Sequence, residues 1–239
     1  GGTLELLTDQ PGPDHQPAWS PDGRIVYSRS ILEPGYESGR RRILAWPVAG
    51  GEPTEITDNL DHHVFRFQVE DDGNLLALVD HEGTWQMGRL FPAEPGKMIA
   101  LTVGAGWLWG FHSAGGRAVG VATAADHPSQ LWELDVGPSS EIVTLIWGET
   151  RGKRTLSTHN ESFEGLVERS VPRRAWVDST SGARVHVWYY PPVRKTQGPR
   201  TPMIVTLHGG PQWCVGDRWD PEIQALTGAG YGVLAVNFT

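Results

Sequence analysis

Cysteine is almost absent from the 239 residues: Cys214 stands alone. A single thiol excludes an internal disulfide, and no Cys/His spacing resembles a zinc site. A reducing, cytoplasmic setting is expected, with no metal and no cofactor. Positive charge is also scarce, with 20 Lys and Arg against 28 Asp and Glu and a net charge of −8. Such a chain lacks the basic field that gathers nucleic acid or an anionic membrane surface, so neither is expected as a partner. No run approaches the roughly 18 apolar residues of a membrane span, and the opening GGTLELLTDQPGPDHQ has neither the basic nor the apolar stretch of a secretory signal. Amphipathic helices of ordinary length are missing from the first 165 residues or so.

What is there instead is strand and turn. RIVYSRS, RILAWPVAG, NLLALVDH, RAVGVATAA and QLWELDV are apolar or alternating, and Gly, Pro or Asp separates them. Three stretches repeat one design: QPAWSPDGRIVYSRS around Gly23, RFQVEDDGNLLALVD around Gly73 and WGFHSAGGRAVGVAT around Gly116. Each is a strand, a tight turn closing on glycine and a second strand, recurring at about 43 to 50 residues, the period of propeller blades. About three blades are expected, and their tryptophans, Trp19, Trp107, Trp109 and Trp132, are assigned to blade interfaces. GGTLELLTD reads as the outer strand of another blade, so the chain is expected to start in mid-propeller, with exposed edges that would aggregate or need a partner segment. The basic runs at 39–42 and 151–154 read as solvated loops, and the long insertion SILEPGYESGRRR as a candidate functional loop.

Near residue 165 the pattern changes. RAWVDSTSGARVHVWYYPP predicts a hairpin turning at Ser181 and Gly182. PMIVTLHGG is a nearly continuous apolar strand, expected to be buried on both faces. In DRWDPEIQALTGAGYGVLAVNF, Asp220 is a natural N-cap, Pro221 suits the first helical turn, and GVLAVNF is the next strand. Strand, loop, helix and strand make an α/β unit whose functional loops lie at the carboxyl ends of the strands. HGGP falls there: glycines after a buried strand let a backbone N–H approach a developing oxyanion with no side chain in the way.

The blade repeat WSPDGRIVYSRS, the junction LSTHNESFEGLVERSVPRRAWVDSTSGARVHVWYYPP and the segment PMIVTLHGGPQWCVGDRWDPEIQALTGAGYGVLAVNF together resemble the prolyl oligopeptidase family of serine peptidases, in its acylaminoacyl-peptidase and dipeptidyl-aminopeptidase-like branch. The resemblance implies a partial β-propeller of about three blades over 1–165, followed over 166–239 by the beginning of an α/β-hydrolase domain. It also implies a peptidase acting on short peptides, releasing N-terminal acylated or free amino acids or dipeptides by acyl-enzyme chemistry. On this reading Gly210 supplies the oxyanion N–H, His208, Gly209 and Pro211 shape the loop, and Trp213 and Arg218 line the substrate pocket.

No G-x-S-x-G nucleophile elbow occurs in the chain, so the Ser-Asp-His triad is expected outside it. The partners implied are a short peptide or small acyl substrate and the remainder of the hydrolase domain, in the same protein or a second chain; a homo-oligomer is left open. An esterase or amidase on the same scaffold, or an inactive propeller binding module, remain the alternative readings.

Overall fold

The computed structural model describes residues 3–9, 12–31, 40–104, 106–137, 143–145, 153–194, 200–210 and 213–237. Pro211, most of the insertion after Ile31 and the Arg151–Gly152 start of the second basic run lie outside the described residues. Two compact units make up the chain: Gly1–Ala77 with Arg89–Ile99, and Leu78–Gly88 with Ala100–Thr239. The second unit spans both sides of residue 165.

The first unit opens with an antiparallel meander, β1 (Asp14–Trp19), β2 (Arg24–Ile31), β3 (Arg40–Pro47) and β4 (Thr54–Glu55). Its first turn follows from SPDG: Ser20 N donates to Arg24 O and Gly23 N to Ser20 O, both at 2.9 Å, with Gly23 at φ +82°. EDDG repeats it, with Glu70 N donating to Asn74 O at 2.8 Å and Gly73 N to Glu70 O at 2.9 Å. The Asp side chains help in both turns, accepting from the backbone N–H two residues on. Val26, Ile43, Ala45, Ile56 and Val64 form the apolar interior here. Two arginines enter this unit in bidentate pairs, Arg29 with Asp14 and Arg89 with Glu70, each at 2.7 to 3.0 Å. A planar guanidinium meeting both carboxylate oxygens is the strong form of ion pair.

Next along the chain come β5 (Val64–Val69), β6 (Leu75–His81), β7 (Thr84–Leu90) and β8 (Met98–Ala100), hydrogen-bonded in chain order. The chain passes from one unit to the other along β6 and returns along β7. Every residue of β7 is buried, so it lacks the alternation by which strands are read.

In the second unit β9 (Thr102–Gly104) precedes β10 (Trp107–Ala114), β11 (Arg117–Ala124) and β12 (His127–Asp135). β13 (Val143–Leu145) pairs with β9, and β14 (Lys153–Thr155) closes the antiparallel meander against β12. The third glycine turn is a different device from the first two: Ala114 pairs with Arg117, leaving a two-residue loop with Gly115 at φ +57° and Gly116 at φ +75°. Two consecutive positive φ values match the twist of a hairpin. Within β10 the register shifts between Leu108 and Gly110, leaving Trp109 as the extra residue of a bulge.

After the short α1 (Glu161–Glu164), β15 (Arg173–Asp178) and β16 (Arg184–Tyr190) form the expected hairpin. β17 (Met203–Leu207), α2 (Pro221–Gly228) and β18 (Gly232–Asn237) form the α/β unit, with β17 and β18 parallel and sheet order β15-β16-β18-β17. Asp220 caps α2 as expected, its carboxylate accepting from Glu222 N at 3.0 Å and Ile223 N at 3.2 Å. Within this chain β17 lies at the edge of the sheet, and Met203, Val205 and Leu207 are exposed. An apolar run alone does not distinguish a covered strand from an edge strand. The fold is thus a partial β-propeller followed by the start of an α/β-hydrolase domain.

One side chain ties the second unit together. Gln224 on α2 donates to Ala125 O at 2.8 Å and Ser170 O at 3.0 Å, and accepts from Ser170 N at 2.9 Å. Gln224→Ala leaves these partly buried backbone groups unpaired, and at about 1 kcal/mol or more for each lost bond should lower the unfolding free energy by roughly 2–4 kcal/mol. Urea titration of the two proteins checks this; a loss below about 0.5 kcal/mol would mean that the bonds are replaced by water without penalty.

Candidate active-site loop and tryptophan cage

β17 delivers the chain to His208 at the carboxyl end of the parallel pair. His208 Nδ1 lies 2.8 Å from Gly209 O, an arrangement in which the ring N–H donates to the carbonyl. Gly210 follows at φ +154°, a backbone region that side chains other than hydrogen rarely permit. The glycine is therefore required by conformation.

The loop from Trp213 to Asp220 is held from several directions within the second unit. Val215 N donates to Asn237 Oδ1 at 2.6 Å, and Asn237 Nδ2 returns a bond to Val215 O at 2.9 Å. Asp217 N donates to Gly83 O at 2.8 Å, and Trp219 N to Thr123 Oγ1 at 3.1 Å. Gly216 is pressed into this seat: a Cβ there would lie 2.1 Å from Gly83 O and 2.7 Å from the Trp107 ring. Any larger residue must push the backbone apart.

Asp217 is buried, and its Oδ1 accepts from Ala125 N at 2.8 Å. Burial pushes its carboxyl above the ordinary aspartate value, outweighing the Ala125 and Gly106 N–H groups and Arg174, which favour the charged form; Asp126 reinforces the rise. The Cys214 thiol is raised to about 11, first by burial and then by the charge of Asp80, with Arg218 opposing. It is a thiol at neutral pH and no nucleophile.

Four indoles gather beside this loop. Trp85 and Trp107, partners in the parallel contact of β7 with β10, stack at 4.4 Å between ring centroids. Trp109, displaced by its bulge, lies 6.1 Å from Trp85, and Trp213 lies 5.9 Å from Trp85 and 6.0 Å from Trp107. The Arg218 guanidinium stands 5.8 Å from the Trp107 and Trp213 rings and 5.9 Å from Trp109, within cation–π range of all three.

Trp213 and Arg218, the two pocket residues expected from sequence, are therefore brought together, and His208, Gly209 and Gly210 form one turn. Of the tryptophans assigned to blade interfaces, Trp107 and Trp132 are buried, Trp109 joins the cage, and Trp19 is exposed. Sequence reading missed Trp85 and Asp217. Trp85 sits in the wholly buried TWQMGRL, whose lack of alternation hides the strand. Asp217 has no local signature, because its partner is 92 residues away.

No protein-family profile matches the chain. It is 23% identical over 243 residues to dipeptidyl-peptidase 5 of Porphyromonas gingivalis, covering 99% of this chain and 33% of that protein. To dipeptidyl-peptidase 5 of Arthroderma otae it is 26% identical over 240 residues, covering 95% of this chain and 31% of the relative. Among solved structures, the acylaminoacyl peptidase of Pyrococcus horikoshii superposes with a TM-score of 0.70 at 22% identity, covering 90% of this chain and 31% of that one. The chain spans about a third of the length of the curated relatives it matches.

Two outcomes follow from the burial of this loop. Between the ordinary aspartate value and the raised value of Asp217, the folded chain holds a proton that the unfolded chain has released, so stability falls as pH rises through that window. Asp217→Asn is neutral throughout and should flatten the plot of urea midpoint against pH there; parallel profiles for the two proteins would show that the carboxyl is not perturbed. Alkylation of Cys214 by iodoacetamide at pH 8 should run about 100-fold slower than that of free cysteine, in step with its thiolate fraction. Equal rates would show that the thiol is open to solvent.

Proposed function

Because this chain is homologous to members of the prolyl oligopeptidase family, we propose that it is part of a serine-type peptidase. The enzyme hydrolyses short peptides through an acyl-enzyme and releases N-terminal acylated or free amino acids or dipeptides. The observation that carries this reading is Gly210, at φ +154° just beyond the carboxyl end of β17 in a strand–helix–strand unit. In this reading its backbone N–H donates to the negative oxygen of a tetrahedral intermediate, and a backbone donor needs no reorientation as charge develops.

In this assignment residues 1–165 are propeller blades and 166–239 the amino-terminal part of the catalytic domain. Gly210 is the oxyanion donor, and His208 and Gly209 set the turn. Trp213 and Arg218 line the substrate pocket. The nucleophile, acid and base come from the rest of the hydrolase domain, since these residues contain no G-x-S-x-G. The names of the relatives, dipeptidyl-peptidase and acylaminoacyl peptidase, support an exopeptidase on short peptides. The lone cysteine supports a cytoplasmic setting. No helix of the described residues is long and apolar enough to cross a membrane.

A fluorophosphonate probe should label the whole protein at a single serine. Gly210→Ala in that protein, which misplaces one oxyanion donor, should lower kcat about 100-fold with little change in KM. A whole protein that takes no label and cleaves neither dipeptidyl nor acylaminoacyl anilides overturns the proposal.

A further inference from the structure

Arg218 has an environment that packing alone does not account for. Among the described residues it forms no salt bridge, whereas Arg29 and Arg89 each hold a carboxylate in bidentate fashion. Its Nε is shut away from solvent and has no hydrogen-bond acceptor among the described residues. Three indole rings at 5.8 to 5.9 Å attract the cation, but an indole offers no lone-pair acceptor for the N–H donors of a guanidinium. A partly buried guanidinium with no salt bridge to the described residues is unfavourable unless something else supplies the counter-charge.

The cage is also unevenly covered. Trp85 and Trp107 form a buried floor at 7% and 0% exposure, while Trp109 and Trp213 are each 37% exposed and make an open rim. Trp213 is the third residue after Gly210, so the rim belongs to the same loop as the proposed oxyanion donor. Gly216, wedged against Gly83 and Trp107, and Asp217, bonded to Gly83 and Ala125, fix the backbone on which Arg218 is carried. The cation is thus held in place, and in a chain of net charge −8 it is a local exception to a field that would turn acidic ligands away.

We propose that the Trp85–Trp107–Trp109–Trp213 cage and Arg218 form a subsite for a ligand carboxylate, presented by an acidic residue of the peptide substrate beside a flat apolar group. The planar fork of Arg218 takes the two carboxylate oxygens, and the exposed indoles of Trp109 and Trp213 take the apolar body. Arg218 is then a specificity-determining residue. The assignment of the carboxylate to a substrate rests on the peptidase reading above; the anion site itself does not.

The test is a pair of peptides that differ only in charge, acetyl-Phe-Glu-amide and acetyl-Phe-Gln-amide, titrated into the whole protein, the chain in its full-length form, with tryptophan fluorescence as the readout. The Glu peptide should bind at least 10-fold more tightly than the Gln peptide, and 0.5 M NaCl should narrow the gap. Arg218→Met, which keeps the stem, should abolish the preference. Arg218→Lys, which keeps the charge without the fork, should retain only part of it.

Equal affinities for the two peptides in the unaltered protein overturn the proposal. So does a preference that survives in Arg218→Met with an unchanged near-ultraviolet circular dichroism spectrum. If Arg218→Met fails to fold, the Arg218→Lys comparison decides: an undiminished Glu preference there overturns the bidentate site. Fluorophosphonate labelling of the whole protein is read separately, so a Glu preference without labelling sinks the peptidase reading and leaves the anion site standing.

Discussion

The grip of the α/β segment on one blade turn is the interaction on which the second unit depends. The turn between β11 and β12 gives up the Ala125 N–H to Asp217, its carbonyl to Gln224 and the Thr123 hydroxyl oxygen to Trp219 N. Arg169 adds a bond to Asp126 O at 2.9 Å. Ala125 itself is packed into the apolar cluster of Trp188, Tyr190, Val215, Ile223, Val233 and Ala235. A residue of the blade is thus part of the α/β core. Backbone groups in a turn must find partners when they are buried, and here the partners come from the loop that carries Trp213 and Arg218. Loop position and blade position are therefore set by the same bonds.

Asp217 shows what that arrangement costs. Its carboxylate is the acceptor that completes Ala125 N–H, yet burial disfavours the charged form. An asparagine would present an oxygen without the desolvation, so the acid is not the least costly acceptor for this place. Gly216 beside it is constrained by space alone, with Gly83 O and Trp107 on the side where a Cβ would project. The tryptophan cage inherits its geometry from both: Trp107 is fixed by its parallel pairing with Trp85, Trp109 is turned by a bulge, and Trp213 and Arg218 ride on the pinned loop.

Features that depend on a few adjacent residues were legible in the sequence. The SPDG and EDDG turns, the Ser181–Gly182 hairpin and the Asp220–Pro221 helix start all reflect φ preferences or side-chain caps acting within four residues. The two-residue character of the Gly115–Gly116 turn was not, because a Gly-Gly pair satisfies several turn types. β17 reads as doubly buried because Ile204 and Val205 continue its apolar run, whereas its neighbours in the sheet are a tertiary matter. In the candidate site, the glycines after β17 announced themselves through position. Trp85, Asp217 and Gln224 did not, since each earns its role from residues far along the chain.

That distance bears on the order of assembly. Each blade meander joins strands through short turns, so its contacts close at little loss of chain entropy. The bonds from Asp217, Trp219 and Gln224 to the β11–β12 turn instead join residues 92, 96 and 99 positions apart. Contacts of that separation form late, because the intervening loop must be closed before they return anything. The described strands of this meander end at Thr155, whereas the bonds that pin the loop bearing Arg218 to it must wait until α2 has been made.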